Sequence, residues 1–216
     1  LQQSKATWKI LANQVMMMQV EAQALGLATN LDAWDGYPAE REKIYTFLQS
    51  KGIKNLVVLT GDIHCSWAAN LTFNPFDSTK YSRLTGEGSL AVEFVTPSIS
   101  SANIDELLNV KGRTPLIVQA ETAMKTLNPH LSDVELTSHG YCVLDVTPSK
   151  TQADYFFSDS ITVPVKTETF WKGFSAPSND PRITATSTPA PAKPNAPDFA
   201  PNEPPHTSFF RRCLGR

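Results

Sequence analysis

The chain has 216 residues, with 19 basic and 21 acidic side chains and a formal net charge of −2. That balance excludes a nucleic-acid surface built on excess positive charge, and no apolar run approaches the ~20 residues that span a bilayer. Three cysteines, Cys65, Cys142 and Cys213, are too few and too scattered for a disulfide framework.

In chain order, residues 1–4 read as the tail of a helix, and 8–15 as a strand with Asn13 and Gln14 at its end. An Asn-, Asp- and Gly-rich loop covers 26–35. Pro38 suits the first turn of a helix, and Glu40 and Glu42 suit its positive end. Ile44, Phe47 and Leu48 supply the i, i+3, i+4 apolar stripe, and Lys51-Gly52 a basic last turn with a glycine cap. The run Asn55-Leu56-Val57-Val58-Leu59-Thr60 predicts a buried strand. Further strands are predicted over 90–96, 134–136, 140–146, 153–157 and 161–165, and helices over 104–110 and 116–127, the last stopped by Pro129. The fold class is α/β with α+β character: helix-then-strand units first, then a strand-rich antiparallel half. From about Gly173, Pro, Ala, Ser and Thr dominate. Such composition buries too little surface to offset ordering entropy, so 175–205 reads as disordered or polyproline-like.

The stretch Gly61-Asp62-Ile63-His64-Cys65-Ser66-Trp67-Ala68 follows the strand at 55–60. A strand whose carboxyl end opens into Gly-Asp-x-His describes a metal-binding loop, because ligands in open α/β sheets gather at those ends. Asp62 offers a hard oxygen and His64 a borderline nitrogen, a usual mixture at a hydrolytic metal. In an extended loop both side chains point the same way. The same pattern also fits an Asp cap and a packed His. Cys65, pointing away in that geometry, is expected to be a packed thiol. Asn13, at the end of its own strand, is either a calcium-suited amide ligand or a loop anchor. Asp35, Tyr37 and Arg41 form a dense polar block in which Arg41 could fork a phosphate or Asp35 could hold Arg41. Trp34 and Trp67 read as packing residues. His130 and His139 are turn-associated anchors or pocket residues, and His206 has no assigned role. Ser66 and Ser98 lack the surroundings of a nucleophile elbow.

The blocks Asp32-Ala33-Trp34-Asp35-Gly36-Tyr37-Pro38-Ala39-Glu40-Arg41, Leu59-Thr60-Gly61-Asp62-Ile63-His64-Cys65-Ser66-Trp67-Ala68 and Glu93-Phe94-Val95-Thr96-Pro97-Ser98-Ile99-Ser100-Ser101 occur in that order. Asn128-Pro129-His130 and His139-Gly140-Tyr141 come after them. Together with the opening Ala6-Thr7-Trp8-Lys9-Ile10-Leu11-Ala12-Asn13-Gln14-Val15, they closely resemble the PhoD-like family of alkaline phosphatases and phosphodiesterases, from about the first residue to Ser160. The resemblance implies a calcineurin-like metallophosphoesterase core, a two-sheet sandwich flanked by helices. It implies a secreted, periplasmic or cell-surface enzyme that hydrolyses phosphate mono- or diesters at alkaline pH with iron and calcium. Asp62 and His64 become the expected metal ligands, with Asn13 a third candidate.

The family's earlier acidic metal motifs are not found here. The expectation is therefore that 1–172 is the carboxyl-terminal part of such a domain, 173–216 is a tail, and the amino-terminal portion of the same enzyme supplies the remaining ligands. The rival reading is a non-catalytic β-rich module that binds a surface polymer or completes a partner's fold.

Overall fold

The structure is a computed structural model that describes residues 1–193. Strand β1 is Lys9–Ala12, and helix α1 is Pro38–Ser50, with Pro38 in its first turn. β2 is Leu56–Thr60, β3 Ser66–Leu71 and β4 Ala91–Val95. A short α2, Ile104–Leu107, precedes α3, Pro115–Leu127, and β5, Leu131–Glu135. β6, Gly140–Val146, β7, Lys150–Ser158, β8, Glu168–Pro177, and β9, Thr184–Thr186, complete the described chain.

These strands form a five-stranded mixed sheet, ordered β1-β2-β4-β3-β5, and a four-stranded antiparallel sheet, ordered β6-β7-β8-β9. β1, β2 and β4 run parallel, so their carboxyl ends share one rim. β3 is antiparallel to both β4 and β5.

The β-branched apolar run of β2 suits a strand covered on both faces. Val57 turns toward the second sheet with Ala68, Val92 and Phe94, against Ala153, Tyr155 and Phe174. Leu56 and Val58 face the helices, where Tyr45 and Leu48 of α1 and Ile117 and Met124 of α3 close the other core. The expected two-sheet sandwich with flanking helices and a strand-rich second half is the observed architecture.

Several local readings need correction. Residues 1–4 form a turn. The first strand is shorter than 8–15 because the backbone swings away after Ala12 to carry Met17 and Met18 onto Glu93. Residues 161–165 form a loop. Pro164 has no N–H for a ladder, and the Ser160 hydroxyl captures the amides of Thr162 and Val163 instead. β3 occupies part of the stretch read as site loop, since Ser66–Leu71 is buried at every position and shows no alternation.

The 172/173 boundary falls inside β8, and the disordered reading is corrected up to residue 193. Few apolar side chains are needed where a sheet already offers a face: Phe174 and Ala176 are fully buried there. Buried polar groups of β7 anchor the segment after β9, with Gln152 Nε2 donating to Thr188 O at 3.1 Å and Ala190 N to Asp154 Oδ2 at 2.7 Å. The remainder of the expected tail, including His206 and Cys213, lies outside the described residues. Among the described residues no helix is long and apolar enough to cross a membrane.

Candidate metal centre at the sheet rim

Three loops leave the carboxyl ends of β1, β2 and β4, and backbone hydrogen bonds stitch them together. Asn13 N donates to Leu59 O at 2.9 Å, and Gly61 N to Gln14 O at 3.3 Å. Thr96 N donates to Thr60 O at 2.9 Å, and Ser98 N to His64 O at 3.2 Å. Asn13, Asp62 and His64 are thereby brought to one rim, as the parallel topology requires.

The loop carrying Asp62 and His64 is not extended, which corrects the spacing argument. Both residues have left-handed backbones, with φ of 70° and 66°. The chain turns at each, so their alternation does not set side-chain direction. Asp and His tolerate this region better than most residues, and strained backbone gathers at functional sites. Asp62 is exposed and His64 half-buried. His64 Nδ1 lies 2.9 Å from Ala102 O. A carbonyl only accepts, so Nδ1 carries the proton and the neutral ring presents its lone pair at Nε2. This is the second-partner arrangement of a metal-binding histidine.

Asn13 Nδ2 donates to Val15 O at 2.6 Å, the loop-anchor contact, and this bond does not use its amide oxygen. Cys65 is buried, its thiol lies 3.6 Å from Leu136 O, and burial pushes it up to about 12. A thiol so held remains protonated and packed.

Asp35 and Arg41 are brought together inside the protein. Arg41 NH1 donates to Asp35 Oδ1 at 2.7 Å and to Met17 O at 3.3 Å, and Asp35 Oδ2 accepts from Val20 N at 2.9 Å. Through these contacts one guanidinium nitrogen braces the loop after β1, the alternative in which Asp35 holds Arg41. Tyr37 is exposed at the start of α1. Trp67 is buried and Trp34 packs against the helix-side core. His130 is a buried anchor, with Nε2 2.9 Å from Gln19 O and Phe76 and Tyr81 edge-on to its ring. Burial pushes it down to about 4.

Sequence reasoning missed one residue and the assembly of one group. Glu93 is fully buried, accepting from Met17 N and Met18 N at 2.7 Å each and from Thr60 Oγ1 at 3.1 Å. Burial pushes its carboxyl up to about 7 against the pull of those donors and of Arg41. One acid within Ala91-Val92-Glu93-Phe94-Val95 was the available signal, since a charge in a buried strand requires partners. The group is Ser98, His139 and Glu106, which meet beside the His64 loop. Ser98 and His139 were each noted singly, but nothing in the sequence signalled that they meet across 41 positions.

Among the described residues, no group of three or more His, Cys, Asp and Glu side chains is placed to hold a metal ion. The donor chemistry present nonetheless fits one: an exposed carboxylate, an imidazole with its second nitrogen fixed, and an amide oxygen, on loops sharing a rim.

The two-sheet fold with this rim agrees with the comparisons to known proteins. Residues 1–155 match the family described as PhoD-like phosphatase. The chain is 35% identical over 162 residues to alkaline phosphatase D of Bacillus subtilis (strain 168), an alignment covering 74% of this chain and 25% of that protein. The solved structure of PhoD superposes with a TM-score of 0.67 at 27% identity, covering 87% of this chain and 33% of that one. The chain belongs to the PhoD-like phosphatase family. It spans about a quarter of the curated relative's length and a third of the solved structure's.

Proposed function

We propose that this chain forms part of a metal-dependent phosphoester hydrolase and contributes Asp62 and His64, with Asn13 as a third donor, to the metal centre. The observation that carries the reading is the loop after β2. Two potential ligands sit in left-handed backbone at the sheet's carboxyl rim, and the His64 ring is held through Nδ1, leaving Nε2 for a metal. Family membership supports the hydrolase class, and the resemblance supports iron and calcium, a secreted, periplasmic or cell-surface setting, and alkaline operation.

A bound metal would supply Lewis-acid stabilisation of the charge that develops on phosphoryl oxygens. The chain's own residues do the rest of what can be assigned here. Asp62 places a carboxylate at the rim. Ala102 holds the His64 ring in one tautomer. Arg41, Asp35 and Glu93 keep the loop after β1 in place behind Asn13. Because His64 must be neutral to coordinate, metal affinity falls in acid, in keeping with alkaline operation. Three donors do not fill the coordination of a multi-metal centre, since calcium alone takes about 6–8 oxygens. The other ligands are proposed to come from polypeptide outside these 216 residues.

The test is hydrolysis of p-nitrophenyl phosphate and its bis-ester at alkaline pH by the intact gene product, before and after chelation, alongside the 216-residue chain alone. Chelation is expected to abolish turnover in the intact product, and the chain alone is expected to show none. Chelator-insensitive hydrolysis would refute the metal reading, and an intact product that takes up no metal and hydrolyses neither ester would favour the non-catalytic module.

A further inference from the structure

Beyond the rim ligands, a side-chain cluster ties the two sheets together at the same end. The loop after β4 grips His64 twice: Ser98 N donates to its carbonyl at 3.2 Å, and Ala102 O faces its Nδ1 at 2.9 Å. The orientation of the His64 ring therefore depends on the shape of the 98–102 loop.

That loop is shaped from inside by the Ser98 hydroxyl. It has one proton, and the nearest acceptor is Ser101 O at 2.6 Å, with Asn103 Oδ1 at 3.2 Å. The same hydroxyl oxygen lies 3.1 Å from His139 Nδ1, a contact in which the ring's tautomer decides which atom donates. The far side of the His139 ring, Nε2, is 3.3 Å from Glu106 Oε2, and that oxygen also accepts from Asn103 N at 2.8 Å. Asn103 Nδ2 in turn donates to Thr137 O at 2.7 Å.

His139 comes from the other layer. It immediately precedes β6, its carbonyl accepts from Ser158 N at 2.9 Å, and Gly140 N donates to Ser98 O at 3.0 Å. A Cβ at Gly140 would collide with the Phe156 carbonyl, so glycine is needed for β6 to approach β7 this closely. The ring is thus a peg, rooted in the antiparallel sheet and inserted into the loop of the mixed sheet that carries the His64 contacts.

We infer that His139, held between Ser98 and Glu106, is a positioning residue that sets the 98–102 loop and through it the orientation and tautomer of His64. The inference rests on the proposed metal role of His64. Both ring nitrogens of His139 face protein partners, Ser98 and Glu106, so its effect is expected on metal affinity rather than on the chemistry of a loaded site. A mere structural brace would alter melting temperature and leave His64 unchanged.

The experiment uses the intact gene product and His139→Ala, His139→Asn, Ser98→Ala and His64→Ala. Each is read by melting temperature, by anaerobic titration of the chelated protein with iron(II), and by the ring 15N shifts of His64 in the metal-free state. Loss of an outer hydrogen-bond partner costs about 10- to 100-fold in metal affinity. His139→Ala and Ser98→Ala are expected to weaken iron binding by about 10-fold and to mix the His64 tautomers. His139→Asn, whose amide can either donate to Ser98 or accept from it in place of Nδ1, is expected to recover most of both. Wild-type iron affinity and His64 shifts in His139→Ala and Ser98→Ala, when His64→Ala has lost binding, would overturn this inference alone. Undiminished binding by His64→Ala would overturn the metal reading and this inference together. If His139→Ala does not fold, Ser98→Ala and His139→Asn carry the same comparison.

Discussion

The two oxygens of Glu93 are divided between consecutive amides: Oε1 accepts from Met17 N and Oε2 from Met18 N, each at 2.7 Å. A side chain in the centre of the mixed sheet thereby fixes the backbone that comes after β1 and Asn13. Glutamine matches glutamate in shape but presents an NH2 where one oxygen stood, and that group cannot accept from an amide. Glu93→Gln is expected to destabilise the protein by about 1–3 kcal/mol, the cost of one buried unsatisfied donor. Urea denaturation measures it, and unchanged stability would show that the loop re-forms without this carboxylate.

Glu93 and His130 titrate in opposite senses. With its carboxyl raised from about 4.5 to about 7, Glu93 keeps a proton in the folded state that the unfolded chain has lost. Its contribution to stability is full below the unfolded value and falls as pH rises toward 7. His130, depressed from about 6.5 to about 4, leaves the unfolded chain holding the extra proton between those values, so its contribution rises with pH. Each slope is at most about 1.4 kcal/mol per pH unit. Where the windows overlap, the wild-type stability curve is expected to be nearly flat. Between pH 5 and 6.5, roughly the overlap, Glu93→Gln should gain stability with rising pH and His130→Gln should lose it. Parallel curves for all three proteins would contradict the assignment.

Asp62 is constrained by conformation as well as charge. Asn accepts the left-handed backbone nearly as readily, whereas a β-branched residue at φ 70° is strained by about 1–3 kcal/mol. Asp62→Asn is expected to retain the melting temperature of the metal-free wild type while losing bound metal and at least about 100-fold in turnover of the intact product. Asp62→Val should lose stability as well. Normal metal content in Asp62→Asn would remove this residue from the ligand set.

Cutting the chain after Lys172 removes the second half of β8 and all of β9, including fully buried Phe174. A large fall in melting temperature, or failure to fold, is expected. Phe174→Ala alone should cost about 3–5 kcal/mol. A truncated protein as stable as the full chain would show that these strands add nothing to the sandwich.

What was legible in the sequence was local. The apolar run of β2, the Pro38 start and Gly52 end of α1, and the Gly-Asp-x-His exit onto the rim each lie within one short window. β3 was hidden because its small and polar residues, Ser66, Ala68, Ala69 and Asn70, are all buried, which removes the alternation that marks a half-exposed strand. The end of the fold was hidden by dilution, since Phe174, Ala176 and Ile183 stand among prolines and threonines that mask them. At the site, residue types were readable but geometry was not. The turn at Asp62 is closed by Ile63 N donating to Gly61 O, the His64 carbonyl is held by Ser98 N from another loop, and the Ser98–His139 contact spans 41 positions. For Arg41 the sequence offered a phosphate fork or an Asp35 partner, and the Asp35 contact was visible only once the loop after β1 was folded.

The strand order leaves β1 at the margin of the mixed sheet, paired on one side with parallel β2. Any segment that extended this sheet in the same direction would have its final residue delivered next to Asn13. Direction of travel at that border therefore decides whether an incoming segment donates to the rim. A parallel newcomer points its leading tip at the ligands, and an antiparallel one would present its start there instead.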